Sequence, residues 1–550
     1  MKLSPSAHTD SFTRDALPPA ELWPTLEFTI PDVQYPTVLN AAEELLDRTI
    51  ERHGSSRTAI LLADGETWSY GELQRRANQF AQVLTEDFGL VPGNRVMLRM
   101  LNGPWTVACW LGALKAGMVV VTTMVAWRAK EVRNVAEKVR PQLAVVSERG
   151  LDDARTGFAA LQVMPEMLIF GGESDTLVAA CETKSGEFVA VQTAGDDVAL
   201  LGATSGTTGA PKITMHFHRD ILANADTFAR HVLEFTSEDV AASTAPLAFT
   251  FGLGGNVVFP LRFGGAMVLV ERATPLELAK LIEPLGITVL FTAATGYRAI
   301  LKEGLGSELG KLRVGVAAGE HLSSSTFDAV ERASGLRLVN GIGSTEMLHV
   351  FISASGDALR PGTTGRAVPG YRAAIFDDDG KQLGAGVPGR LGVIGPTGCR
   401  YLDDERQRVY VQDGWNITGD TFVVDEDGYF TFHARNDSMI VTAGYNVGAP
   451  EVEEAVLGHS DVLECAVVGR ADATRGMIVN AFVVPKRGVE PSDALTESIL
   501  DHVKSQLALY KCPRRIDYVS ELPRNPSGKV QHFVLRERAN AAAEPLTQGA

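Results

Sequence analysis

Between Pro36 and about Gly370 short β-branched runs recur, and stretches with helical spacing separate several of them. "NRVMLRM", "MVVVTTM", "QLAVVSE", "EMLIFGG", "DVALLGAT", "AMVLVE", "ITVLFTAAT", "LRVGVAAGE" and "LRLVNGIGS" each have the length and apolar content of a buried strand. "TVLNAAEELLDRTIERHG", ending at Gly54, reads as a helix, as do "PLELAKLIEPLG" and "SSTFDAVERASG". Parallel neighbours need long, usually helical crossovers, so this alternation predicts stacked α/β units with largely parallel sheets. After Gly370 the texture changes. "YRAAIFDDDGKQL", "GRLGVIGPTG" and "TFVVDEDGYFTFHARND" read as short strands joined by Asp-Gly turns, hence a small antiparallel region. Beyond Ser438 an α/β texture returns, with Ile499, Val503, Leu507 and Tyr510 at helical spacing. A chain of 550 residues exceeds one hydrophobic core. The expected layout is an N-terminal extension over 1–35, a large body over 36–436, a small domain over 437–540 and a tail over 541–550.

The formal net charge of −16 argues against a general nucleic-acid binder, whose affinity rests on clustered Lys and Arg. Anionic small molecules remain admissible, provided that dedicated local donors oppose the overall field. The five cysteines, Cys109, Cys181, Cys399, Cys465 and Cys512, form no Cys/His cluster, which fits a reducing compartment and not a zinc or disulfide framework. The N-terminus has no signal-peptide core, and no apolar run approaches the roughly 20 residues of a membrane span. A cytoplasmic protein is expected. The sequence does not fix the oligomeric state, and a homodimer is compatible with it.

One stretch points to chemistry. In "LLGATSGTTGAPKITMHFHRD" a predicted strand runs into small and hydroxylated residues, two glycines, a proline and a lysine. Gly and Thr leave backbone N–H groups open to an anion, and Lys212 adds a point charge. The stretch is not a Walker A loop, because Gly206 and Gly209 are too close and Ile213 follows the lysine. Taken alone, it has a second, blander reading as a polar turn with no ligand.

Four further motifs follow in order: "NGIGSTEM", "DGWNITGD", "HARNDSMIVTAGYNVGAPEVE" and "PRNPSGKVQ". With the first loop, they resemble the adenylate-forming superfamily of acyl- and aryl-CoA ligases, firefly-type luciferases and peptide-synthetase adenylation domains. The resemblance runs from about Pro36 to Val534. It implies a large N-terminal domain of stacked α/β subdomains with a small β region, and a small mobile α+β C-terminal domain. It also implies ATP, Mg²⁺ and coenzyme A as reactants: a carboxylate attacks the α-phosphate, pyrophosphate leaves, and a thiol then displaces AMP. By this match Thr204, Ser205, Gly206, Thr207, Thr208, Gly209 and Lys212 meet the β/γ-phosphates. Glu346 holds the metal, and the Thr345 hydroxyl lies beside the α-phosphate. Asp420 accepts the ribose hydroxyls and Arg435 makes a second ribose contact. Gly319 and Glu320 pass along the adenine, where Ile342 replaces the family's usual aromatic. Lys529 is the mobile catalytic lysine, Asp437 the hinge, and Gly444 lines the pantetheine tunnel.

The acyl pocket is expected to involve Phe249, Thr250 and Phe251. The stretch from Ala245 to Asn256 contains no acid, which suits an uncharged ring or acyl chain better than an amino-acid zwitterion. "GIGSTEMLHVF" looks like the form found in benzoate- and 2-aminobenzoate-CoA ligases, so that Gly343, His349 and Val350 line the pocket and His349 faces an ortho substituent. The implied partners are an aromatic acid, ATP and CoA. A stand-alone enzyme loading an aryl or medium-chain acyl group onto a carrier-protein phosphopantetheine, or an inactive nucleotide-binding relative, remains an alternative.

Overall fold

A computed structural model describes residues 3–204, 211–435, 439–442, 445–472, 475–507, 509–524 and 528–541. Among these residues the strands assemble into four sheets. All nine predicted β-branched runs are strands, divided between two largely parallel sheets. One sheet of six is ordered Glu166–Phe170, Leu143–Ser147, Arg95–Arg99, Val119–Thr122, Val198–Thr204 and Lys212–Phe217. The other, of nine, has the parallel centre Val339–Gly343, Val314–Ala318, Val289–Thr292, Val240–Ser243, Ala266–Leu269 and Thr58–Leu62.

Successive side chains of a strand point to opposite faces, and here both faces are apolar. Val289 and Phe291 enter a core shared with Phe80, Trp110 and Phe228, whereas Leu290 enters a second core with Leu278, Tyr297 and Phe327. In the six-stranded sheet Val120 joins the shared core, while Val119 and Val121 face Val135 and Phe158. The body is therefore built as helices, sheet, central helices, sheet and helices. The C-terminal ends of its parallel strands open on a common edge, where ligands bind in such sheets.

The Asp-Gly region forms the expected antiparallel sheet from Arg372–Phe376, Gly389–Ile394, Trp415–Val424 and Phe430–Arg435. A fourth sheet, built around Val462–Asp472 and Gly476–Pro485, carries the small lobe. Helices Ala449–Leu457 and Asp493–Gln506 pack on one face and His532–Ala541 on the other. Ile499 and Val503 are buried, but that helix ends at Gln506 and Tyr510 is exposed. The helical spacing outran the helix because Cα geometry breaks at Leu507, whose φ/ψ are extended. The last described helix, His532–Ala541, buries Ala539, and residues 542–550 of the expected tail lie outside the described residues.

The N-terminal residues are packed onto the body. The Ser4 and Ala7 amides donate to Asp196 and Asp197, Arg95 lies 4.4 Å over the Phe12 ring, and the Tyr35 hydroxyl donates to Asp226 at 2.9 Å. No described helix is long and apolar enough to cross a membrane.

Candidate active site

The strands on either side of residues 205–210 pair antiparallel, with Thr204 opposite Lys212. A strand follows the loop where a Walker A loop would start a helix. Ser205, Gly206, Thr207, Thr208 and Gly209 lie outside the described residues, as does the Thr204 side chain. The hairpin places Lys212 against the "STEM" motif. Lys212 Nζ donates to the Tyr401 hydroxyl at 2.9 Å, and that hydroxyl donates to Glu346 Oε1 at 2.6 Å. Lys212 Nζ itself stands 3.5 Å from the same oxygen. Burial, reinforced by the Glu346 charge, drives the Tyr401 phenol far above its ordinary pKa, so it remains a donor. Tyr401 was not legible as a site residue, because a tyrosine in "GPTGCRYLD" carries no chemical signal of its own.

The "STEM" loop is held from behind. His216 Nε2 lies 2.8 Å from the Thr345 carbonyl oxygen. A carbonyl only accepts, so the imidazole carries its proton on Nε2. Burial pushes its pKa down to about 3, keeping the ring neutral. A Cβ built on Gly202 would lie 2.9 Å from Thr345 Cγ2, so the glycine lets Thr345 lie against the strand. His218, two residues on, accepts the Ala41 amide at 3.1 Å through Nδ1. It fastens its helix to the N-terminal helix, and the supporting role toward the motif falls to His216. Leu348 takes φ +72, a left-handed conformation uncommon for a non-glycine residue, between the carboxylate and the acyl side.

A cavity of about 330 Å³ opens beside this loop. Gly319, Glu320, Ile342, Gly343, Asp420 and Lys529 all line it, although they span more than two hundred positions of sequence. Gly319 has φ +88, and a Cβ built there would lie 3.6 Å from Lys529 Cε. The small lobe therefore brings Lys529 over the strip that ends the strand Val314–Ala318. Glu320 accepts the Thr295 amide at the start of helix Ala294–Lys302, which pins the strip to the body. Asp420 is the register partner of Arg435, whose side chain lies outside the described set. Asp437 and Gly444 also lie outside the described residues.

On the acyl side, Phe249 caps the short helix Thr250–Leu253. Thr250 and Phe251 are half-buried, and Val350 packs its side chain on Gly341. His349 is 4% exposed, with its ring 5.5 Å from those of Phe228 and Phe251 and 4.7 Å from that of Phe259. Neither ring nitrogen has a hydrogen-bond partner. Burial lowers its pKa to about 3, and the nearby Phe251 backbone offsets this only slightly, without the geometry of a formed hydrogen bond. Asn224 Oδ1, likewise buried without a partner, approaches from the same side: a Cβ on Gly254 would meet it at 3.3 Å and His349 Nε2 at 3.0 Å. A structural core histidine is normally satisfied, and this one is not.

Across the cleft, Glu454 Oε1 accepts the Ser324 amide at 3.0 Å, and His321 Nε2 lies 3.9 Å from its other oxygen. Among the described residues no group of three or more His, Cys, Asp and Glu side chains can enclose an ion. Glu346 thus offers a single hard oxygen donor, which fits a Mg²⁺ ion that takes its other ligands from phosphate and water.

A profile described as AMP-binding enzyme matches residues 46–400, and one described as AMP-binding enzyme C-terminal domain matches residues 451–529. A benzoate–CoA ligase of Thauera aromatica is 34% identical over 519 residues, covering 92% of this chain and 98% of the relative. The crystal structure of the anthranilate CoA ligase AuaEII in complex with anthranoyl-AMP is similar with a TM-score of 0.89 at 31% identity, over 93% of this chain and 99% of that one. A benzoate CoA ligase from Burkholderia xenovorans LB400 gives a TM-score of 0.84 at 30% identity, over 91% and 100%.

Proposed function

Since the chain belongs to the AMP-binding enzyme family and is an acid–thiol ligase, we propose that it joins an aromatic carboxylic acid to coenzyme A at the expense of ATP. The carrying observation is that Lys529 of the small lobe and Gly319, Ile342 and Asp420 of the large lobe line one cavity. In the first step an acid oxygen bonds to the α-phosphorus as the bond to pyrophosphate breaks. Lys529 would hold the negative oxygens together, and Asp420 would orient the ribose. Glu346 would hold the Mg²⁺ that arrives with ATP, whose part is to neutralise phosphate charge. In the second step the thiol sulfur bonds to the acyl carbon, AMP departs, and the thiol proton is lost. For this, the small lobe would turn about Asp437 and bring Gly444 to the pantetheine path.

The aromatic acid is supported by the phenylalanine surroundings of His349 and the lack of an acid from Ala245 to Asn256. Within that class, the unpaired nitrogens of a neutral imidazole favour 2-aminobenzoate over benzoate, because an ortho amino group supplies a hydrogen-bond partner. Pyrophosphate release against aryl and alkyl acids, with and without CoA, tests the reading. Release stimulated by 2-aminobenzoate with an aryl-CoA product supports it. Acid-dependent release without a CoA thioester would transfer the proposal to a carrier-protein acceptor, and no release with any acid would end it.

A further inference from the structure

Lys529 reaches the cavity from the small lobe, where it lies beside Gly319 of the large lobe. Its loop is braced within the small lobe. Arg524 donates to the Gly528 carbonyl at 2.8 Å and to Glu464 at 2.7 Å, and the Gln531 amide donates to the Pro523 carbonyl at 2.8 Å. Leu522 is buried beside Phe482 and Leu535. The loop travels with its lobe, and the docking of that lobe sets the position of the lysine.

Helix Ser324–Ser334 of the large lobe leaves backbone donors at its N-terminus, as every helix does. Its N-cap Ser323 satisfies Thr326 N at 3.2 Å. The amide of Ser324, one residue on, is satisfied by Glu454, which belongs to helix Ala449–Leu457 of the other lobe. A carboxylate at this end also meets the positive pole of the helix dipole. His321 stands 3.9 Å away and packs its ring 5.7 Å from that of Phe432, a cavity-lining residue. The neighbouring His321 ring, 3.9 Å away, and then the hydrogen bond from Ser324 hold the Glu454 carboxyl below its ordinary pKa, as expected of a carboxylate engaged across an interface.

Resting on the function proposed above, we infer that Glu454 is a positioning residue for the first half-reaction: it completes the N-terminus of helix Ser324–Ser334 from the opposite lobe and thereby fixes Lys529 beside Gly319. Such a contact weights one lobe arrangement and costs nothing in the other, where water serves both groups. Its loss should therefore separate the two half-reactions, whereas a merely structural residue would depress both.

Glu454→Ala should slow acid-dependent pyrophosphate release by about tenfold or more, the weight of one charge-assisted hydrogen bond. Thioester formation from supplied acyl-adenylate should stay within about twofold of the parent, twofold being no more than a few tenths of one hydrogen bond. Glu454→Gln, which keeps an acceptor for the Ser324 amide, should lie between. An equal fall in both half-reactions, or none in either, would overturn the inference. A second measurement does not depend on activity: spin labels on Val163→Cys and Leu509→Cys, both exposed and on different lobes, should give one narrow distance. Adding Glu454→Ala should broaden or shift it, and an unchanged distribution would overturn the inference. If the parent enzyme releases no pyrophosphate with any acid, the functional reading fails, while the label distances still test the docking contact.

Discussion

Replacing His349 by leucine should make the protein more stable and less selective. The imidazole is buried among three phenylalanine rings, and both nitrogens lack partners. Burying such a polar group unpaired costs roughly 1–3 kcal/mol, and a leucine of similar bulk removes that cost. The pH dependence sharpens the test. The pKa falls from 6.5 in the unfolded chain to about 3 in the folded one. Below pH 6.5 the unfolded state therefore binds a proton that the native state refuses, and stability is lost as pH falls. Between pH 7.5 and 5.5 this amounts to about 1.4 kcal/mol for one histidine. His216 and His218 are depressed in the same way, but they are present in both proteins and cancel in the difference. Urea unfolding midpoints at the two pH values, with m unchanged, should show His349→Leu ahead by roughly 1–3 kcal/mol at pH 7.5 and by about 1.4 kcal/mol more at pH 5.5. The same variant should lose its preference for 2-aminobenzoate over benzoate. A variant less stable than the parent at pH 7.5, or a gap independent of pH, would refute the claim that this histidine is held unpaired at a cost to stability.

Lys529→Ala should reduce pyrophosphate release by orders of magnitude and spare acyl transfer from supplied acyl-adenylate; loss of both alike would remove the lysine from the first step. Tyr401→Phe deletes the hydroxyl between Lys212 and Glu346, and should weaken adenylation by about 1.5–3 kcal/mol with a higher Mg²⁺ requirement, read by titrating the metal against pyrophosphate release. A parental rate and parental Mg²⁺ dependence would show the hydroxyl to be idle. Gly319→Ala forces a side chain into φ +88 and should cost roughly 1–2 kcal/mol in thermal denaturation, with a raised KM for ATP because the strip lies beneath Lys529; unchanged values in both would contradict the geometry.

The strands were legible because their signal is local. A run such as "MVVVTTM" is apolar on both faces and preceded by Gly117, and it is a strand buried on both sides. The end of helix Asp493–Gln506 was not, since nothing in the spacing of Leu507 and Tyr510 reveals where the backbone turns extended. The site divides in the same manner. Glu346, Asp420 and Lys529 sit in ordered motifs and could be proposed from their neighbours in sequence; the fold brings Asp420 and Lys529 to one cavity and Glu346 to Tyr401 and Lys212. Tyr401, His216 and Glu454 could not be proposed in that way, for each acts through a partner that is distant in sequence: Tyr401 lies 55 positions from Glu346 and Glu454 lies 130 from Ser324. Only packing brings such pairs together. His349 was named from its motif, but its unpaired nitrogens, which carry the argument for a ring substituent, are a property of the fold.

That distribution bears on how an acidic protein handles an anionic substrate. With a net charge of −16 the chain repels a triphosphate at long range, but a Debye length of about 8 Å at physiological salt makes most of that field irrelevant inside the cleft. What matters is the balance within a few ångströms. There Lys212 already stands 3.5 Å from Glu346, so its charge is largely shared before ATP arrives. That pair is nearly neutral, and a Mg²⁺ ion held by Glu346, as proposed, would add positive charge at the carboxylate. A further ammonium group reaches the cleft with Lys529, on a loop braced to the small lobe and docked through Glu454. Charge neutralisation and lobe docking are in this way one event. Were the lobe to turn away for the proposed second step, the ammonium would leave with it, and a bound adenylate would lose a cation that otherwise holds AMP in place while the thiol displaces it.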